Sequence, residues 1–187
     1  MFGSWEVFVT DKMPQKVASA FYDLNLIGAE YEFIAYLGSQ QVNGVNHAVL
    51  AKQTVVTGKD VENVVLMIFN EKGMDCNLIN IERLVEGGPA LGGIHIDATT
   101  DIPDDALNAF DSILADRVGA NINPFALLGT KVTKGVNYLF AATLEPIVQN
   151  PVAEVVLVMV NSMTRESRIV NILDSKLSNA LGYAFTW

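Results

Sequence analysis

Few side chains in this sequence have the types and spacing that catalysis needs. Its two histidines, His47 and His95, fall in stretches read as strands, with no cysteine or aspartate spaced to complete a nucleophile and base pair. His47 follows a hairpin and reads as a packing residue. The single cysteine, Cys76, lies at a turn-to-strand boundary; a thiol there reacts only if a neighbour lowers its pKa, so it reads as a small apolar residue. Asp101, Asp104 and Asp105 make a carboxylate cluster, but acids at a helix start complement the helix dipole, and no metal set is expected. No glycine-rich loop follows a strand and opens a helix, so no nucleotide or other cofactor is expected either. The chain reads as a non-enzyme. Its most informative spacing is Gln40-x-Val42-x-Gly44, followed by Val45-Asn46-His47.

That segment has a second copy. The pairs Gly44/Gly135, Asn46/Asn137, Asn70/Asn161, Asn80/Asn171 and Ile81/Ile172 share one offset (135 − 44 = 91), and Val64-Val65-Leu66 returns as Val155-Val156-Leu157. Upstream the offset is two shorter (Pro14 against Pro103, 103 − 14 = 89; Trp5 against Ile94). A two-residue change in a connection costs little closure entropy. The repeat divides the chain into a first unit at residues 1–86, a linker at 87–90, a second unit at 91–175 and an extension at 176–187.

The elements that position these residues follow from periodicity. Trp-Glu-Val-Phe-Val-Thr at 5–10 alternates as a half-buried strand does. Pro14 opens a segment with Val17, Ala20, Phe21, Leu24 and Ile27 (or Gly28) at helical spacing, which predicts a helix running to about Gly28. Strands are expected at 31–38, 45–56, 64–70 and 78–84, with turns at 40–44, 57–60 and 71–73. In the second unit a strand at 94–98, a helix at 103–118 and strands near 123–128, 136–146, 153–161 and 168–173 repeat the order. Short turns force antiparallel neighbours. The fold class this gives is α+β: two β-α-β-β-β-β units, each an antiparallel sheet wrapped on one helix. Residues 64–69 and 155–160 are apolar without alternation, which predicts cover on both sheet faces, by tight packing between the two units or in a homo-oligomer.

Composition narrows the partners. Among 187 residues the net charge is −9, which argues against nucleic acid and against an anionic membrane surface, since both need clustered Lys and Arg. The longest apolar runs fall far short of the roughly 20 residues that span a bilayer. One cysteine excludes an intrachain disulfide framework, and residues 1–5 lack the basic and apolar stretches of a signal peptide, so a cytoplasmic setting is expected.

The element order and the hairpin Gln40-x-Val42-x-Gly44 followed by Val45-Asn46-His47 resemble the cystatin family of cysteine-protease inhibitors. Its pattern is Gln-x-Val-x-Gly, commonly followed by x-Asn-Tyr or x-Asn-His, on a sheet wrapped around a helix. Leu91-Gly92-Gly93, before the first strand of the second unit, resembles the Leu-Gly-Gly trunk of plant-type members. The resemblance covers residues 5–84 and 91–175 in organisation. It implies a protein-binding module that inhibits papain-like cysteine proteases as a wedge, an N-terminal strand and two hairpins filling the cleft without offering a scissile bond. Carried over by position, the protease contacts would be Gly3, Gln40, Val42 and Gly44, flanked by Gly58 and Lys59, with Leu91, Gly92 and Gly93 as a second trunk. Gly44 would permit close approach to the cleft wall. The same residues also suit a tight turn bridged by Asn46. The second unit has Lys131, Thr133 and Gly135 at the motif positions, so its hairpin reads as structural, and neither Thr57 to Asp60 nor Gln149 to Pro151 carries the Pro-Trp of secreted members. The alternative function is a non-inhibitory tandem scaffold for protein association or apolar ligand binding.

Overall fold

The alternating segment at the start of each repeat forms an edge strand, and each later apolar stretch forms the next strand beside it. The computed structural model describes residues 3–56, 58–59, 61–88 and 93–173. The chain divides into two compact units, Met1–Glu86 and Gly87–Trp187. The first contains β1 (Trp5–Thr10), α1 (Gln15–Tyr22), β2 (Ala29–Val42), β3 (Gly44–Val55), β4 (Val61–Lys72) and β5 (Asp75–Glu86). The second contains β6 (His95–Thr99), α2 (Asp104–Leu114), β7 (Ala120–Thr133), β8 (Gly135–Pro146), β9 (Glu154–Asn161) and β10 (Ser167–Asn171). Each sheet has five strands in sequence order, β1-β2-β3-β4-β5 and β10-β9-β8-β7-β6, with every pairing antiparallel. Among the described residues no helix is long and apolar enough to cross a membrane.

The α+β expectation is corrected: the structure is mainly β, with two antiparallel five-stranded sheets and two helices among the described residues. The helices are shorter than their apolar spacing suggests. α1 stops at Tyr22 instead of running to Gly28, and α2 stops at Leu114 instead of Val118. The sheet takes the rest. Gly28 accepts a hydrogen bond from the Val56 amide (2.9 Å) and Ala29 already pairs with Val55, so the residues expected to extend the helix close the end of the β2–β3 ladder. Ile27, expected to face inward, is fully exposed, as is Val118. Leu24 still folds back onto the core. The strands meanwhile reach 14 residues where eight and six were expected.

One face of each sheet carries its helix. Val17 and Phe21 of α1 meet Tyr36, Val49, Ala51, Val65, Met67 and Phe69. Ala106 and Phe110 of α2 meet Leu127, Phe140, Ala142, Val156, Val158 and Val160. The two sets match position by position (110 − 21 = 89; 140 − 49 and 160 − 69 = 91), so the duplication preserves a packing arrangement as well as a motif. The opposite alternation of the central strands, Val64, Leu66 and Ile68 in β4 and Val155, Leu157 and Met159 in β9, is buried too. That is why these strands lack polar alternation.

Candidate functional site

In a sheet whose strands follow sequence order, alternate hairpins lie at the same end. The β2–β3 tip, where Val42 pairs with Gly44, therefore shares its end with the β4–β5 turn, Gly73 and Met74, and with the start of β1, where Trp5 pairs with Gln40. Gly58 and Lys59 belong to the β3–β4 turn, closed by Val55 and Val61 at the far end of β3. They lie on the order of 35 Å away, at about 3.3 Å per strand residue. The assignment of Gly58 and Lys59 as flanking residues is thus corrected, and Gly73 and Met74 take their place. At this end Met74 is 88% exposed and Val42 36%.

The hairpin motif is knitted into its surroundings. The Gln40 side-chain amide donates to the Gly3 carbonyl (2.7 Å), and its Oε1 accepts from Asn46 Nδ2 (3.0 Å). Asn70 Nδ2 donates to Asn46 Oδ1 (2.8 Å). Gln40 thereby ties the segment before β1 to the first hairpin. Gly44 has φ +97°, and a Cβ there would stand 2.5 Å from the Glu71 carbonyl oxygen. Gly44 is thus required by the chain's own β4, against which no Cβ would fit. Gly135 is the same, with φ +91° and Met163 2.7 Å from its Cβ position.

Unit two keeps the amide pair, Asn161 Nδ2 donating to Asn137 Oδ1 (2.6 Å), but has Lys131 in place of Gln40. Gly93 precedes β6 beside this second hairpin, since His95 pairs with Thr130. Leu91 and Gly92, like the extension at 176–187, lie outside the described residues. The intact hairpin and the Leu-Gly-Gly segment therefore belong to different units.

Beneath the unit-one hairpin runs a chain of polar side chains that sequence reasoning missed. Lys16 of α1 donates to Glu71 Oε1 (2.7 Å) and to the Gly73 carbonyl (2.7 Å). Glu71 Oε2 stands 3.3 Å from Nε2 of His47, whose Nδ1 is 2.8 Å from the Tyr36 hydroxyl. The Nε2 contact has an ion-pair distance but not hydrogen-bond alignment, which leaves Nε2 without a hydrogen bond among the described residues. A carboxylate can only accept, so the tautomer with its proton on Nε2 suits the site, and Tyr36 then donates to Nδ1. In unit two the corresponding positions hold Tyr138 and Asp105, and the phenol donates to Asp105 Oδ2 (2.9 Å). Asp105 of the carboxylate cluster is thus engaged in clasping helix to sheet. Burial pushes the Cys76 thiol pKa up, with Glu71 adding to the effect, so the thiolate is disfavoured.

These shifts set a pH dependence of stability. Burial pushes the His47 pKa below its ordinary 6.5, outweighing the attraction of Glu71. Lys16 chiefly holds the Glu71 carboxyl below its ordinary 4.5. As pH falls below about 6.5 the unfolded chain takes up a proton at His47 that the folded chain resists, so that contribution is full above 6.5 and is lost down to the folded pKa. The Glu71 contribution is full above 4.5 and lost below it. Urea midpoints are expected to fall in two stages on acidification, with His47→Tyr removing the first and Glu71→Gln the second. A midpoint flat from pH 7.5 to 4 would contradict this.

Comparison with protein-family models, with curated proteins and with solved structures finds no match for this chain.

Proposed function

We propose that this protein is a non-catalytic binding module whose unit-one hairpin end enters the cleft of a partner protein, a papain-like cysteine protease being the class to test. The supporting observation is that three separate segments converge on one end of one sheet: Gly3, held by Gln40; the tip at Val42 to Gly44; and the turn at Gly73 and Met74. Exposed apolar side chains on the two tips, Val42 and Met74, suit insertion into a groove. The partner class comes from the resemblance of Gln40-x-Val42-x-Gly44 to the cystatin hairpin. A chain with one cysteine suits a reducing compartment, and we place the activity in the cytoplasm.

Titration of papain with the purified chain tests this. Val42→Asp and Met74→Asp are each expected to weaken inhibition at least about tenfold, as replacing an apolar anchor by a charge does. Val132→Asp and Met163→Asp, on exposed residues of the unit-two tips, should leave it unchanged. Absence of inhibition at micromolar chain, or equal effects from both pairs, would reject the reading.

The scaffold or ligand-binding alternative draws on a different observation. Unit two has an open groove of about 520 Å³ beside its hairpin, lined by Lys134, Asn137, Met159, Asn161, Glu166 and Arg168, a volume within the range of small-molecule sites.

A further inference from the structure

The clasp beneath the unit-one hairpin joins a titratable group to the turn that the binding reading uses. Lys16 Nζ bridges the Glu71 carboxylate and the Gly73 carbonyl, so the position of the β4–β5 turn depends on where that carboxylate stands. The other oxygen of Glu71 faces His47, whose side chain is only 8% exposed. Among the described residues, the charged and titratable groups around the imidazole are these. Tyr36 meets it from β2, Glu71 from β4, and Lys16 from α1 through Glu71; Cys76 of β5 feels Glu71 and Lys16, and Glu6 of β1 acts on Tyr36. Protonation cannot leave this set unchanged. Once Nδ1 carries a proton it cannot accept from Tyr36, so the hydroxyl must turn to become the acceptor. Two cations, the imidazolium and Lys16, then share one carboxylate. Unit two has no such group, because Tyr138 and Asp105 occupy the corresponding positions and Ser162 stands where Glu71 would be (162 − 71 = 91).

We propose that His47 regulates the hairpin end of unit one: on acidification its imidazolium draws Glu71 from Lys16, Lys16 loosens its hold on Gly73, and the β4–β5 turn with Met74 leaves its binding position. The inference rests on the hairpin-end reading of function. It makes His47 a positioning residue, acting on the binding surface through Glu71 and Lys16.

A pH titration of the isotopically labelled full chain by NMR, from 7.5 to 5.0, tests it without any partner. The His47 ring and the Gly73 and Met74 amides are expected to shift with one shared midpoint, below that of an ordinary histidine. Protection of the turn amides should fall by up to about tenfold, the factor set by one hydrogen bond. In His47→Tyr, which installs the residue of unit two, the step at Gly73 and Met74 should vanish. In Lys16→Met the turn should be loose at both ends of the titration. Gly73 and Met74 unmoved while wild-type His47 titrates, or a step that persists in His47→Tyr, would overturn the proposal. Papain binding is measured separately: a pH-sensitive turn with no inhibition rejects the binding reading alone, whereas inhibition with a pH-insensitive turn rejects the regulation alone.

Discussion

Phe69→Ala is expected to lower the free energy of unfolding by about 3–5 kcal/mol, the range for deleting a fully buried aromatic from a packed core. Phe69 is completely buried in β4, with its ring 6.3 Å from that of Phe21 across the helix–sheet interface. α1 has only eight residues, two of which, Val17 and Phe21, are buried. So short a helix is marginal in isolation, and packing has to hold it in place. Removing the ring therefore opens a cavity where little other material can collapse into it. Urea unfolding followed by circular dichroism checks the value. A loss under about 1 kcal/mol would mean that the core is less closely packed than its burial indicates.

Gly44→Ala is expected to cost about 2–3 kcal/mol, from a left-handed backbone forced on a residue with a Cβ and from the clash with the Glu71 carbonyl. Gly135→Ala should cost a similar amount, since its Cβ would meet Met163. Thermal unfolding of the two variants beside the wild type measures both. If Gly44→Ala melts with the wild type, the close approach of the hairpin to β4 is not as described. The comparison also bears on any inhibition assay. A loss of protease binding in a Gly44 variant would report damage to the hairpin rather than a lost contact, so Val42 and Met74 are the informative positions.

The duplication was legible from Gly44/Gly135, Asn46/Asn137 and Asn70/Asn161 at the hairpins and from the return of Val64-Val65-Leu66, and the runs at 64–69 and 155–160 pointed to burial on both faces. That Val17, Phe21, Val49 and Phe69 are matched by Ala106, Phe110, Phe140 and Val160 in the second core came only with the structure. Fold class was misread at the helix ends. Leu24 and Ile27 keep helical spacing, yet the pairing of Gly28 and Ala29 with the end of β3, a tertiary contact, ends the helix at Tyr22 and turns the chain into β2. The placement of Gly58 and Lys59 failed for a reason the sequence could have supplied, because counting strands puts alternate turns at opposite ends. The clasp of Lys16, Glu71, His47 and Tyr36 was out of reach, since its members are up to 55 residues apart and no periodicity links them. Gln40 and Gly44 were identified as a motif, but their present partners, Gly3 and the Glu71 carbonyl, could come only from coordinates.

Strand order also bears on how the chain reaches this state. Within each sheet every strand pairs with its neighbour in sequence, and the longest connection between paired strands is the one that contains the helix. Local pairing closes small loops first and defers little entropy to late steps, so these units belong to the faster side of β-protein folding. The hairpins β3–β4 and β7–β8 can form and propagate before the edge strand and its helix arrive. β1 and β6 are joined through the helical connection, the longest loop to close within each sheet, so they are expected to be the last strands to join.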